Sequence, residues 1–167
     1  MDKNQLKENV ETAIQRLTTK DRFLIENGLH EITIAHKLAE YLESEFKDWD
    51  VDIEYNKKID VDLQGNTSKE ILNRFSNAGE SGHTQRRSLR IDIIVHHRGK
   101  NDYGSNLLAI ELKKVGNPSR RDMDEDALKQ LTDKNRPYRY QFGLFIDINK
   151  EAHIDEKWFV NGSRQDI

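Results

Sequence analysis

Residues 89–97, LRIDIIVHH, and residues 106–114, NLLAIELKK, decide how this chain folds. In the first run Leu89, Ile91, Ile93 and Val95 alternate with Arg90, Asp92, Ile94 and His96. In the second, Leu108, Ile110 and Leu112 alternate with Ala109, Glu111 and Lys113. A period of two sends successive side chains to opposite faces of a sheet, so both runs are predicted strands. Arg98 to Ser105, polar and carrying Gly99 and Gly104, has the composition of a hairpin loop. Pairing the two strands brings Asp92, Glu111 and Lys113 to one surface.

Charges inside an otherwise apolar strand are costly unless something compensates them. A divalent cation held by Asp92 and Glu111 would do so, and hard oxygen ligands suit Mg²⁺ or Mn²⁺. Lys113 would then stand ready to hold a phosphate or help a water attack it. The plain alternative is a cross-strand ion pair on a solvated face.

Ile91-Asp92, then eighteen intervening residues, then Glu111-Leu112-Lys113 resembles the signature of the PD-(D/E)XK nuclease superfamily. That resemblance implies a restriction-endonuclease-like core of order αβββαβ. It implies Asp92 and Glu111 as metal ligands, the Leu112 carbonyl as a further donor, and Lys113 as the catalytic cation. Ile91 stands where the motif's proline would be.

A chain of 167 residues without cysteine is the size of one domain, with no thiol catalysis, disulfide or cysteine-bound zinc. Met1 to Gln15 lacks the apolar run of a signal peptide, and no stretch reaches membrane-spanning length, so a cytoplasmic protein without membrane contact is the default expectation. Net charge is −3, yet residues 82–121 hold nine Lys/Arg against three Asp/Glu. A basic surplus around the candidate site fits a phosphate backbone, with Arg86, Arg87 and Arg98 as the expected nucleic-acid contacts. A solvated basic loop is the alternative.

Asn4–Leu17 is a predicted amphipathic helix with Leu6, Val10, Ala13, Ile14 and Leu17 on one face. A second helix is expected over Leu29–Phe46, buried through Ala35, Leu38, Leu42 and Phe46. Glu31 falls on that apolar face, four residues before Ala35. It is either a first-turn acid complementing the helix dipole or a third carboxylate aimed at the metal. Branches of the nuclease superfamily are similar in carrying such a glutamate. His30, Glu31 and His36 lack the spacing of a zinc-protease helix.

Trp49–Asn56 is the predicted first strand. An excursion over Lys57–Ser88 follows, with a short helix expected at Ser68–Phe75 and a flap or plain loop thereafter. Beyond Lys114, a helix over Arg120–Thr132 buries Met123, Ala127, Leu128 and Leu131. Its acidic start, Asp122 to Asp126, is read as helix stabilisation. A last strand is expected over Tyr138–Ile148, and then a tail anchored by Trp158, Phe159 and Val160.

The expected architecture is a single α/β domain over residues 1–167: an extra N-terminal helix, a core at about 29–148 interrupted at about 57–88, and a mixed central sheet flanked by helices. The expected function is a Mg²⁺- or Mn²⁺-dependent nuclease acting on nucleic acid, DNA favoured over RNA. With little chain outside the core, specificity would come from substrate structure, a homodimer or a partner protein. The competing expectation is a catalytically inactive module of the same fold that binds nucleic acid or protein in a larger assembly.

Overall fold

The computed structural model describes residues 1–55, 59–61, 67–69, 72–73, 87–88, 91–100, 104–116 and 121–167. Helix α1, Lys3–Lys20, is opened by Asp2, whose carboxylate accepts the Gln5 N–H at 2.9 Å. It buries the expected stripe of Leu6, Val10, Ala13, Ile14 and Leu17. A one-turn helix, α2 (Arg22–Glu26), follows; Gly28 then reverses the chain at φ +66°, where a Cβ would be strained. Helix α3, Glu31–Glu45, buries Ile34, Ala35, Leu38 and Leu42 and packs on α1.

Six strands form one mixed sheet in the order β1-β6-β7-β8-β9-β10. Here β1 is Asp50–Tyr55, β6 is Ile91–His96, β7 is Asn106–Lys114, β8 is Phe142–Ile148, β9 is Ile154–Val160 and β10 is Ser163–Gln165. Only β7 and β8 run parallel, and the crossover between them carries α4, Arg121–Thr132. The two sides of the sheet have separate cores. Ile93, Val95, Leu108, Ile110, Leu112, Leu144, Ile146 and Ile148 pack towards α1 and α3. Ile94, Ala109, Phe145 and Phe159 pack with Leu128 and Leu131 of α4. Strand β7 is thus covered on both faces, which is why Leu107 to Leu112 are all buried.

Three expectations are corrected. Where a helix was predicted over Ser68–Phe75, the described residues are strands: β3 (Thr67–Lys69) pairs with β2 (Ile59–Val61), and β4 (Leu72–Asn73) pairs with β5 (Arg87–Ser88). The apolar pattern there was too short to outweigh β-branched Ile59, Val61 and Thr67. The last core strand starts at Phe142, not Tyr138, because Arg139 takes φ +46° and breaks the extended run. The tail is not merely anchored but adds β9 and β10 to the sheet. Asn161-Gly162, with φ +51° and +78°, makes the two-residue hairpin turn that joins them. No helix among the described residues is long and apolar enough to cross a membrane.

Candidate active site at the end of the central strands

The antiparallel register sets Ile93 opposite Ile110, so one step towards the strand ends Asp92 faces Glu111. Both side chains leave the sheet on the α4 side. Asp92 Oδ2 accepts the Leu112 N–H at 2.8 Å. The two carboxyl groups thus share one patch of the sheet, each raising the cost of charge on the other. Glu111 is only 3 % exposed. Burial, then the charges of Asp92 and Asp124, push its pKa well above the usual carboxylate range. Burial raises that of Asp92 as well, against the opposing pull of the Leu112 N–H and Lys113.

Lys113 projects from β7 on the same face as Glu111. Its Nζ lies 3.3 Å from Asp124 Oδ2 and 3.6 Å from Glu31 Oε2. Burial works against its charge, but Asp124, Glu31, Asp92 and Glu111 together outweigh burial and raise its pKa. Glu31 arrives from the first turn of α3 and reaches round the end of β7. Its Oε1 accepts the Lys114 N–H at 3.1 Å. The expected Glu31, Asp92, Glu111 and Lys113 therefore come together at one end of the two central strands, with Glu31 on the lysine side of the group.

Asp124 is the addition. The acidic start of α4 has the pattern of helix stabilisation, yet Asp124 turns inward. Its Oδ2 is buried beside Lys113 without a hydrogen bond of good geometry, and burial raises its pKa. The signal was available: Asp124 lies four residues before Leu128, just as Glu31 lies four before Ala35. Next to it, Arg121 pairs with Asp147 and donates to the Lys114 carbonyl at 3.0 Å.

Four carboxylates, Glu31, Asp92, Glu111 and Asp124, thus gather round one ammonium. The donor set fits a hard cation: Mg²⁺ takes one or two protein carboxylates and fills its remaining positions with water and substrate oxygens. In an extended strand a residue's N–H and C=O point to the same side. The Leu112 carbonyl accordingly faces β6, the side from which Asp92 reaches its N–H. Among the described residues no three His, Asp or Glu side chains are grouped for a single ion.

The arginines are placed differently. Arg86 and the Arg87 side chain lie outside the described residues. Arg98 follows the far end of β6, whose run from Asp92 to His96 alone spans roughly 13 Å. There it binds Asp52 through two hydrogen bonds of 2.8 and 2.7 Å, and Asp50 accepts its backbone N–H. His96, 4 % exposed, is also 2.8 Å from Asp52. Arg98 and burial act oppositely on Asp52, and the hydrogen bonds from Arg98 and His96 leave its pKa lowered.

No family model, curated protein or solved structure matches this chain. The chemistry of the site accordingly rests on its own residues.

Proposed function

We propose that this protein is a metal-dependent nuclease of the PD-(D/E)XK type, cutting phosphodiester bonds in nucleic acid and favouring DNA. The supporting observation is the crowding of Asp92 against Glu111 with the Lys113 ammonium on the same face. Element order adds to it. Reading α3, β1, β6, β7, α4, β8 in sequence and setting aside β2 to β5 gives αβββαβ, so the restriction-endonuclease-like core belongs to the same proposal.

Asp92, Glu111 and the Leu112 carbonyl, with Glu31 as a further candidate, would hold Mg²⁺ or Mn²⁺. Such an ion, when bound, makes water a better nucleophile and neutralises charge building on phosphate. The chain's own groups do the rest. Asp92 and Glu111 set one negative pole of the site. Lys113 donates N–H bonds to a phosphate oxygen or to the attacking water, and stabilises the charge that develops as the bond breaks. Glu31 and Asp124 orient that ammonium from two sides. Arg86, Arg87 and Arg98 go with this proposal as contacts to neighbouring phosphates, which position a strand without reading its bases.

Incubation of the protein with plasmid, linear and single-stranded DNA in Mg²⁺ or Mn²⁺ tests the reading. Cleavage is expected with metal only, and Lys113→Ala and Glu111→Ala are expected to abolish it. Either variant cutting at the wild-type rate would remove the mechanism.

One observation favours a second reading, an inactive module of this fold that binds nucleic acid or protein. Lys113 is already engaged by two carboxylates, as a purely structural ion pair would be. Binding with steep salt dependence and no cleavage by the wild type supports that reading.

A further inference from the structure

Where β7 and β8 end side by side, Lys114 stands opposite Ile148. Beyond them lies a crevice of about 330 Å³. In open α/β sheets, ligands settle outside the carboxyl ends of parallel strands, and this volume falls in the range of small-molecule sites. The crevice lies on the opposite side of β7 from Glu111 and Lys113, because Lys114 is one residue out of phase with Lys113. The Lys114 N–H held by Glu31 ties the two places together.

The lining is specific in character. Val115, 55 % exposed, is the accessible apolar side chain of the crevice, and the buried Ile25 and Ile148 form its floor. Gly28 and Gly116 open the space: both have positive φ, and a Cβ built on either meets nothing within 4 Å. Lys114 and Lys150 supply positive charge, and no acidic side chain lines the crevice among the described residues. Lys114 is already fixed, donating to the Gly28 carbonyl at 3.0 Å and the Leu29 carbonyl at 2.9 Å. An ammonium has three N–H donors, so one is left for an incoming anion, and the ordering cost of the side chain is already met.

We propose that this crevice is a nucleotide subsite. It takes one nucleotide unit of the strand being cut, with phosphate on Lys114 and Lys150 and sugar and base against Val115, over the floor that Ile25 and Ile148 make. The inference rests on the nuclease reading for the origin of the ligand, but binding can be measured without catalysis. A purely anionic ligand would leave the exposed Val115 unused, and a purely apolar one would leave the third Lys114 N–H donor unused.

Backbone amide NMR in metal-free buffer, with deoxyadenosine 5′-monophosphate, deoxyadenosine and inorganic phosphate as separate probes, tests it. The nucleotide is expected to shift the amides of Gly28, Val115, Gly116, Asn149 and Lys150, more tightly than either fragment. The surface changes Lys150→Glu and Val115→Glu are expected to weaken it at least roughly tenfold, and Lys129→Glu, on the outer side of α4, to leave it unchanged. Shifts centred elsewhere, unaltered affinity in both variants, or phosphate binding as tightly as the nucleotide each overturn the subsite. The two readings fail separately. Nucleotide binding in the crevice by a protein that never cuts DNA sinks the nuclease and keeps the subsite. Cutting by Lys150→Glu with wild-type KM, in a protein that ignores the nucleotide, does the reverse.

Discussion

Asp124 Oδ2, on the first turn of α4, lies 3.3 Å from Lys113 Nζ on β7. The contact spans the crossover between the two parallel strands, so the lysine is held by the helix as well as by its own strand. Glu31, Asp92, Glu111 and Asp124 all act on the Lys113 charge. Breaking a largely buried charge group by removing one sign leaves the other uncompensated. Lys113→Met is therefore expected to destabilise the metal-free protein by about 3 kcal/mol at neutral pH. Asp124→Asn removes a partner and a repelling charge together, so its cost should be smaller. Urea unfolding of the three proteins measures both, and a neutral Lys113→Met would show the cluster to be already well solvated.

The raised carboxyl pKa values carry a pH dependence of definite sign. Asp92, Glu111 and Asp124 bind their protons more tightly in the native state than in the unfolded chain. Their contribution is thus fully present below the ordinary carboxylate range and is lost as pH rises from about 4 through the raised native values. Metal-free wild type should have a higher urea midpoint near pH 5 than near pH 8. Glu111→Gln, which cannot ionise, should flatten that slope. Asp52 works in the opposite sense. Its lowered pKa gives stability that is present above the ordinary range and lost as pH falls below it, so the two effects occupy different windows. A slope unchanged by Glu111→Gln would mean that the acid pair does not control it.

The close approach of α4 to β8 predicts a packing effect remote from the charges. A Cβ on Gly143 would lie 3.1 Å from Thr132 Cγ2, 3.3 Å from Phe159 Cβ and 3.4 Å from Leu128 Cβ. Helix and sheet must part slightly to admit a methyl group, and such overpacking costs about 1–3 kcal/mol. Gly143→Ala is expected near the lower end and Gly143→Val beyond the upper. Equal urea midpoints for all three proteins would show that the helix can move away freely.

Much of this arrangement was readable because the relevant signals are local. The period of two over residues 91–96 and 106–114 implied the β6–β7 pair, and with it the meeting of Asp92 and Glu111. The stripes of α1 and α3 followed from their 3.6 period. The C-terminal strands were harder to see, since Asp155, Glu156 and Lys157 lower the apolar content of β9, a strand placed by its partner β8 rather than by its own composition. Asn161-Gly162 is the strongest local hairpin signal in the tail. Asp124 was legible by its spacing to Leu128 but was masked by the neighbouring Asp122, Glu125 and Asp126. Its role depends on where the crossover sets α4 down, a relation that no sequence window contains.

The accumulated negative charge leads to the last prediction. With four carboxylates acting on one ammonium, added positive charge should stabilise the fold. A cation that binds only the native state raises stability by RT ln(1 + [L]/Kd), about 2.7 kcal/mol at one hundred times Kd. Mn²⁺ or Mg²⁺ is therefore expected to raise Tm in a saturable way at constant ionic strength. Asp92→Asn and Glu111→Gln should abolish the rise, although each relieves repulsion and should melt no lower than wild type without metal at pH 8. Arg98→Ala, at the far end of β6, should leave the metal response intact while losing its own contacts to Asp52. If Ca²⁺, Mg²⁺ and Mn²⁺ all left Tm unmoved in the wild type, the acid cluster would have to be satisfied by protons alone, and the nuclease proposal would lose its cation.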